Sequence, residues 1–187
     1  MRALLNCKPS LINLVGHSKT MEHLISNMKT KSSSNKPDMT LPFVAALMNS
    51  TKMMKLFIEY QFDLLTKTKT GGETVFHAAA SSGNLEILEL CLEHSPNGLN
   101  VTNSFNSTPL HYACLNGHVE IVRFLLEQKY VDINAMGQNG YSPLHYACEN
   151  KYFEIGELLL NHKIINLQKY CWKMKTSMSM QSVIMEC

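Results

Sequence analysis

The sequence lacks the local motifs that usually carry chemistry. Its 187 residues contain no G-x-S-x-G, no phosphate-binding P-loop, no H-E-x-x-H and no C-x-x-C pair. Catalysis needs a nucleophile beside a base, or paired carboxylates in a cleft, and no local grouping of that kind is present. The sequence therefore predicts that the chain is not an enzyme, with no catalytic residues and no cofactor.

Long apolar runs are also missing. None approaches the ~18 residues that a transmembrane helix needs. The N-terminal stretch MRALLNCKPSLINLVGH is interrupted by Cys7, Lys8 and Pro9, so it lacks the continuous apolar core of a signal peptide. We expect a location in the cytoplasm, with the nucleus as the alternative, and no membrane partner. In that reducing setting the six cysteines are expected to be free thiols.

Strong charge of one sign is absent as well, because the net charge is only +2. Residues 1–38 carry a net charge of +4, residues 39–168 carry −4 and residues 169–187 carry +2. A nucleic-acid-binding protein usually concentrates basic charge on its folded body. Since the central part of this chain is acidic, we expect no nucleic-acid partner.

What the sequence does have is an internal repeat of 34 residues. Shifting the chain by 34 places aligns Thr74 with Thr108 and Ser142, and it also aligns three histidines, His77, His111 and His145. One further shift backwards gives a weaker copy that begins at Thr40. A fixed period of this length indicates a repeat architecture, in which stacked copies share one core.

Each copy predicts two short helices. A small-residue helix follows the T/S-P-L-H start, with Pro109 and Pro143 at the first helical position. A second helix has apolar residues at helical spacing, such as Ile121, Val122 and Leu125, or Phe153 and Ile155 in the last copy. The tight turns fall on residues that tolerate positive φ, namely Gly72, Asn106 and Gly140 before the copies and Gly83 and Gly117 within them. Lys151 replaces the last turn glycine, where a Cβ is expected to be strained.

The segment TPLHYACLNGHVEIVRFLLEQKYVDINAMGQNGYSPLHYAC resembles the ankyrin-repeat family, which has a T-P-L-H-x-A motif and a period of about 33 residues. The resemblance implies an all-α solenoid of stacked helix-turn-helix units with β-hairpin-like fingers. It predicts four repeats, at 40–73, 74–107, 108–141 and 142–168. Residues 1–39 are interpreted as a degenerate N-terminal capping repeat followed by a mobile loop. Residues 169–187 form a non-repeat tail, rich in Met and Ser, that also fits a truncated or alternative end of a longer product.

Two equal pairs, His111 with Cys114 and His145 with Cys148, look like a zinc site. In the resembled fold, however, the histidine hydrogen-bonds backbone between neighbouring repeats. His77 repeats this role although Ala80 stands in the cysteine place. Successive repeats stack roughly 10 Å apart, too far for ligands on two repeats to share a metal at ~2.0–2.3 Å. We therefore predict structural histidines and no metal site.

The resemblance also implies a function, because ankyrin repeats mostly bind other proteins through finger tips and inner helices. The sequence is thus predicted to be an adaptor or scaffold module, monomeric, whose partner is another protein. The predicted partner-binding residues are Phe105, Tyr112, Leu115, Asn116, Met136, Gln138, Asn139, Tyr141, Tyr146, Glu149 and Asn150. Further variable positions expected to face a partner are Lys67, Lys69, Glu73, Ser81, Ser82, Asn103 and Ser104.

The alternative function is a regulatory ankyrin segment, or a truncated isoform, of a larger enzyme or channel. GETVFH at 72–77 and MGQNGY at 136–141 resemble the ankyrin part of calcium-independent phospholipases. No lipase segment occurs in the sequence. A full transcript with a downstream catalytic domain would separate the two interpretations.

Overall fold

Four pairs of short α-helices make up residues 40–162, the part of the chain that the computed structural model describes. The pairs are α1 (Leu41–Leu47) with α2 (Thr51–Glu59), α3 (Val75–Ser82) with α4 (Leu85–His94), α5 (Pro109–Asn116) with α6 (Val119–Glu127), and α7 (Pro143–Glu149) with α8 (153–162). The predicted N-terminal capping repeat and loop, residues 163–168 and the tail at 169–187 lie outside the described residues. The helical expectation is confirmed.

The turns repeat with the same period as the helices. Within the helix pairs, positive φ angles occur at Asn49 (53°), Gly83 (77°), Gly117 (77°) and Lys151 (61°), each 34 residues from the next. A second series at the same spacing comprises Gly72 (66°), Asn106 (58°) and Gly140 (74°). All of these except Asn49 are turn positions predicted from the sequence. Lys151 does hold a left-handed conformation that is costly for a residue with a Cβ.

The helices stack in two layers. In the inner layer α1 packs on α3, α3 on α5 and α5 on α7, while α2 packs on α4 in the outer layer. The inner helices approach closely because Ala79, Ala113 and Ala147 are fully buried between them. The outer helices supply larger core side chains, including the buried Ile87 and Ile121. The core is therefore a continuous strip between the layers, as a repeat solenoid requires.

Two of the apolar residues expected in the core on the last second helix, Phe153 and Leu160, are exposed instead, Leu160 by 47%. Phe153 was expected on the apolar face of the last second helix, but 75% of its surface is exposed. Ile155 and Leu159, which are four residues apart, take the buried positions instead. Phe153 precedes Ile155 by two residues, which turns it by about 200° around the helix and directs it away from the core.

The first, second and third fingers, at residues 67–73, 103–107 and 136–141, are hairpin-like turns, and residues 40–162 contain no assigned β-strand. Each finger is closed by a backbone hydrogen bond. The Asn103 N–H donates to the Ser107 carbonyl at 3.1 Å, and the Gly137 N–H donates to the Tyr141 carbonyl at 2.8 Å. Neighbouring fingers are also joined, since the Ser104 N–H donates to the Gly71 carbonyl at 2.9 Å. The fingers thus belong to the stacked scaffold rather than projecting from it independently.

Candidate partner-binding site

The repeated histidines connect one repeat to the next. His77 accepts a hydrogen bond at Nδ1 from the Thr74 N–H (3.1 Å) and donates from Nε2 to the Ser107 carbonyl (2.9 Å). His111 does the same with the Thr108 N–H (3.0 Å) and the Tyr141 carbonyl (3.1 Å). Each ring therefore caps its own helix and holds the base of the following finger.

The same geometry argues against a metal at these rings. Both ring nitrogens of His111 are occupied, so coordination would break a buried hydrogen bond. Burial raises the pKa of the neighbouring Cys114 thiol to about 12, which keeps it in the protonated form that binds metals poorly. Within residues 40–162, no group of three or more His, Cys, Asp or Glu side chains is placed to hold a metal ion.

Burial also sets the charge of the histidines. It lowers the pKa of His77 from 6.5 to about 4, although the hydrogen bond to Ser107 acts in the opposite direction. Burial lowers the pKa of His111 as well, against the hydrogen bond to Tyr141. Both rings are therefore neutral near pH 7, and they place no positive charge beneath the inner helices.

Tyr112 lies at the centre of a polar network between three segments. Its hydroxyl donates to Glu73 Oε1 on the first finger (3.0 Å) and accepts from the Asn103 amide on the second (3.0 Å). Glu73 Oε2 also accepts from the Thr68 hydroxyl at 3.1 Å. Burial, followed by the nearby Glu73 charge, raises the pKa of Tyr112 above its ordinary value. Tyr112 thus ties α5 to two fingers.

Asn103 was expected to face a partner, and its side chain does not. It is 4% exposed, because its Oδ1 accepts from the N–H groups of Phe105 and Ser107, both at 2.9 Å, and its amide donates to Tyr112. Its polar atoms serve the finger turn itself. The position that looked variable in the sequence is structural in this repeat.

A cleft of about 150 Å³ opens between the second and third fingers and the inner helices. Its lining brings together five of the predicted partner-binding residues with three scaffold residues, namely Phe105, Tyr112, Leu115, Gln138 and Tyr146 with Asn103, Ser107 and His111. Phe105 is 48% exposed and Leu115 is 41% exposed. We name this set the finger cleft.

The other predicted residues lie beside the finger cleft or beyond it. Met136 is 60% exposed on the third finger, next to Asn139, which adopts a positive φ of 58°. The Asn116 and Asn150 amides each donate to the carbonyl four residues earlier, at 2.8 and 2.9 Å, and so cap the ends of α5 and α7. Glu149 is exposed on α7.

Tyr141 has two roles in the structure. Its carbonyl accepts from His111, while its ring, 37% exposed, lies 5.4 Å from the His145 ring and 5.6 Å from the Tyr146 ring. It also lines a second, wider hollow of about 390 Å³ with Leu144, His145, Cys148 and Glu149. The equivalents of these residues one repeat earlier, such as Leu110 and Cys114, are covered by α7 and its finger.

Besides the Tyr112 network, sequence reasoning missed a second connection between repeats. His118, at the start of α6, lies 2.9 Å through Nε2 from the Ser81 carbonyl on α3. Its ring lies so close to Gly83 that a Cβ there would approach the ring at 2.7 Å. Within the described helix pairs the only sequence signal is one histidine after one turn glycine, since the other three pairs have Ser50, Asn84 and Tyr152 at that place.

The comparisons agree with the architecture. No helix in the part of the chain that the structure describes is long and apolar enough to cross a membrane. No curated protein matched the sequence. The family model for ankyrin repeats in three copies matches residues 11–98 and again residues 76–169, and so covers most of the sequence. Together with the stacked helix pairs and their finger turns, this match shows that the chain belongs to the ankyrin-repeat family.

Proposed function

We propose that the protein is an adaptor or scaffold that binds another protein through its finger tips and inner helices. Ankyrin repeats are generally protein–protein interaction modules. The observation that carries the proposal is the finger cleft together with the third finger, because exposed aromatic and flexible apolar side chains are concentrated there. Phe105, Leu115 and Met136 are all more than 40% exposed within this one region. Such side chains anchor interfaces when a partner removes them from water.

The composition of the surface supports a protein partner over other classes. The described inner helices and second and third fingers carry few charges, whereas nucleic-acid readers need a basic surface. Ion pairs join neighbouring outer helices at Lys55 with Glu86 (3.1 Å) and at Arg123 with Glu154 (2.7 Å). We propose further that the protein acts as a monomer in the cytoplasm or the nucleus.

The test compares two double variants of matched chemistry. Met136→Ala with Tyr141→Ala removes the third-finger anchors, and Tyr130→Ala with Phe153→Ala removes exposed aromatic side chains that belong to neither the fingers nor the inner helices. Each protein is immobilised, and proteins captured from a cell extract are quantified by mass spectrometry. Every captured protein is then produced and titrated by calorimetry.

We expect binding of the true partner to weaken at least tenfold in the finger variant, which is about 1.4 kcal/mol. The control variant should bind as the wild type does, and both should melt within a few degrees of it. The proposal is wrong if the finger variant captures and binds the same proteins with unchanged affinity while the control loses them.

A further inference from the structure

The size of the finger cleft fits a single side chain. The finger cleft has a volume of about 150 Å³ and is open to solvent on one side, and a cavity of this volume accommodates a benzene-sized group. It is walled by the Phe105 side chain, by Leu115 on α5 and by the Tyr146 ring on α7. A Leu, Met or Phe side chain could enter it, whereas a folded surface without a projecting residue could not.

No residue that lines the finger cleft carries a charge. The one titratable side chain in its floor besides the tyrosines is His111, which is buried and neutral near pH 7. The nearest carboxylate in the network, Glu73, already accepts hydrogen bonds at both oxygens, from Tyr112 and from Thr68. An inserted carboxylate would therefore lose water without meeting a positive charge in the cleft lining, and an inserted ammonium would lose water while the Glu73 carboxylate stays hydrogen-bonded to Tyr112, so both are costly.

Two polar groups at the rim of the finger cleft have free hydrogen-bonding capacity. Within residues 40–162, neither the Gln138 side-chain amide nor the Tyr146 hydroxyl makes a hydrogen bond. Gln138 is exposed and can both donate and accept, as the Tyr146 hydroxyl can. A peptide group offers one donor and one acceptor, so these two side chains suit the backbone on either side of an inserted residue.

The walls are held in place before any partner arrives. Asn103 fixes the second finger through its bonds to Phe105, Ser107 and Tyr112. Tyr146 packs edge-on to His111, with ring centroids 5.8 Å apart, and against Tyr141 from the other side. A site that is already ordered loses less conformational entropy on binding.

We propose that the finger cleft receives one uncharged aliphatic or aromatic side chain from an extended segment of a partner protein, whose adjoining peptide groups hydrogen-bond to Gln138 and Tyr146. The inference rests on the proposed function and specifies the chemistry that the partner must present. It predicts a partner segment without charge at the inserted residue.

The experiment uses capped amino acids as probes, because each carries one side chain between two peptide groups. N-acetyl-leucine methylamide and N-acetyl-phenylalanine methylamide are titrated into the ¹⁵N-labelled full chain, and N-acetyl-glutamate and N-acetyl-lysine methylamides serve as charged counterparts. Amide chemical shifts report both affinity and location. Leu115→Glu places a charge in the finger cleft, and the control Leu160→Glu changes a helical leucine of similar exposure (47% against 41%) on α8.

We expect the leucine and phenylalanine probes to bind with a Kd of about 1 mM, which suits ligands of this size, and to shift the amides of Phe105, Leu115, Gln138 and Tyr146. The charged probes should bind at least tenfold more weakly. Leu115→Glu should abolish the shifts with its spectrum otherwise folded, and Leu160→Glu should keep them.

The inference is overturned if the charged probes bind equally well, if the shifts map elsewhere, or if Leu115→Glu binds like the wild type. If third-finger substitution abolishes partner binding but the leucine probe does not bind, the proposed function stands and only the proposal of an inserted side chain is refuted. A chain whose finger cleft binds the probes, but whose partners are unaffected by the third-finger variant, would refute the proposed function instead.

Discussion

Acid should destabilise the solenoid through His77, a ring that folding holds in its neutral form. The ring is 0% exposed and hydrogen-bonded at both nitrogens, and burial lowers its pKa from 6.5 to about 4. Below pH 6.5 the unfolded chain therefore binds a proton that the folded chain rejects. Stability must fall as pH decreases from about 6.5 towards 4, and it is unaffected by this group above about pH 7.

The magnitude follows from the two pKa values. Each pKa unit corresponds to about 1.4 kcal/mol, so the complete loss below pH 4 is about 3 kcal/mol. At pH 5 the unfolded form is almost fully protonated and the folded form about one-tenth protonated, which makes the loss about 2 kcal/mol. For a domain with a few to 15 kcal/mol of stability this is a large fraction. His111, whose pKa burial also lowers, acts in the same direction.

The assay is urea unfolding at pH 7.5 and pH 5 for the wild type and His77→Gln. At pH 7.5 the variant should be less stable than the wild type, because the substitution disturbs the two hydrogen bonds of the ring. Since glutamine does not titrate, the difference in stability from the wild type should be about 2 kcal/mol smaller at pH 5. The contribution of His111 is common to both proteins and cancels. Ile87→Val is the control, because it empties buried space without a titrating group and should keep a constant deficit of about 1 kcal/mol. A His77→Gln deficit that is equal at the two pH values would refute the reasoning.

Two further predictions concern the turns and the thiols. Lys151→Gly should stabilise the protein by roughly 0.5–1 kcal/mol, because Lys151 holds a φ of 61° and the gain from removing its Cβ exceeds the entropy cost of glycine. Urea unfolding measures the change in the free energy of unfolding. A variant less stable than the wild type would contradict the inference that the Lys151 backbone is strained. Burial raises the pKa of Cys91 and Cys114 to about 12 each, whereas Cys148 is exposed. Iodoacetamide at pH 8 should therefore alkylate Cys148 before Cys91 and Cys114, as peptide mass spectrometry would show, and equally fast labelling of Cys114 would count against the packing of α5.

The helices and turns were predictable because their causes lie within one repeat. The local determinants act over three or four residues: they are capping residues, prolines at helix starts and left-handed turn positions. Each of them recurs in the sequence with the same fixed period. The same φ sign at Asn49, Gly83, Gly117 and Lys151 shows how closely the backbone follows that period. Even Lys151 adopts the left-handed conformation, which indicates that the stacking of repeats overrides the preference of a single lysine for negative φ.

The polar network was not predictable because its partners are distant in sequence. Tyr112 meets Glu73 across 39 residues, and His118 meets Ser81 across 37. At a variable position on an inner helix, the sequence alone does not distinguish a side chain that faces a partner from one that hydrogen-bonds to the previous finger. Only the stacking distance between repeats, which the sequence does not state, decides between the two.

The finger cleft depends on residues that break the repeat. Leu115 stands where the preceding repeat has Ser81 and the following one has Glu149, and Phe105 stands where the previous finger has Gly71. The scaffold beneath is the same in each case, since it is built from the positions that do repeat. An apolar cleft therefore forms between these two repeats and cannot form one step earlier, where serine and glycine supply no walls. Restoring the period with Leu115→Ser should consequently remove the cleft while leaving the stack intact, which ties any loss of probe binding to the surface rather than to the fold.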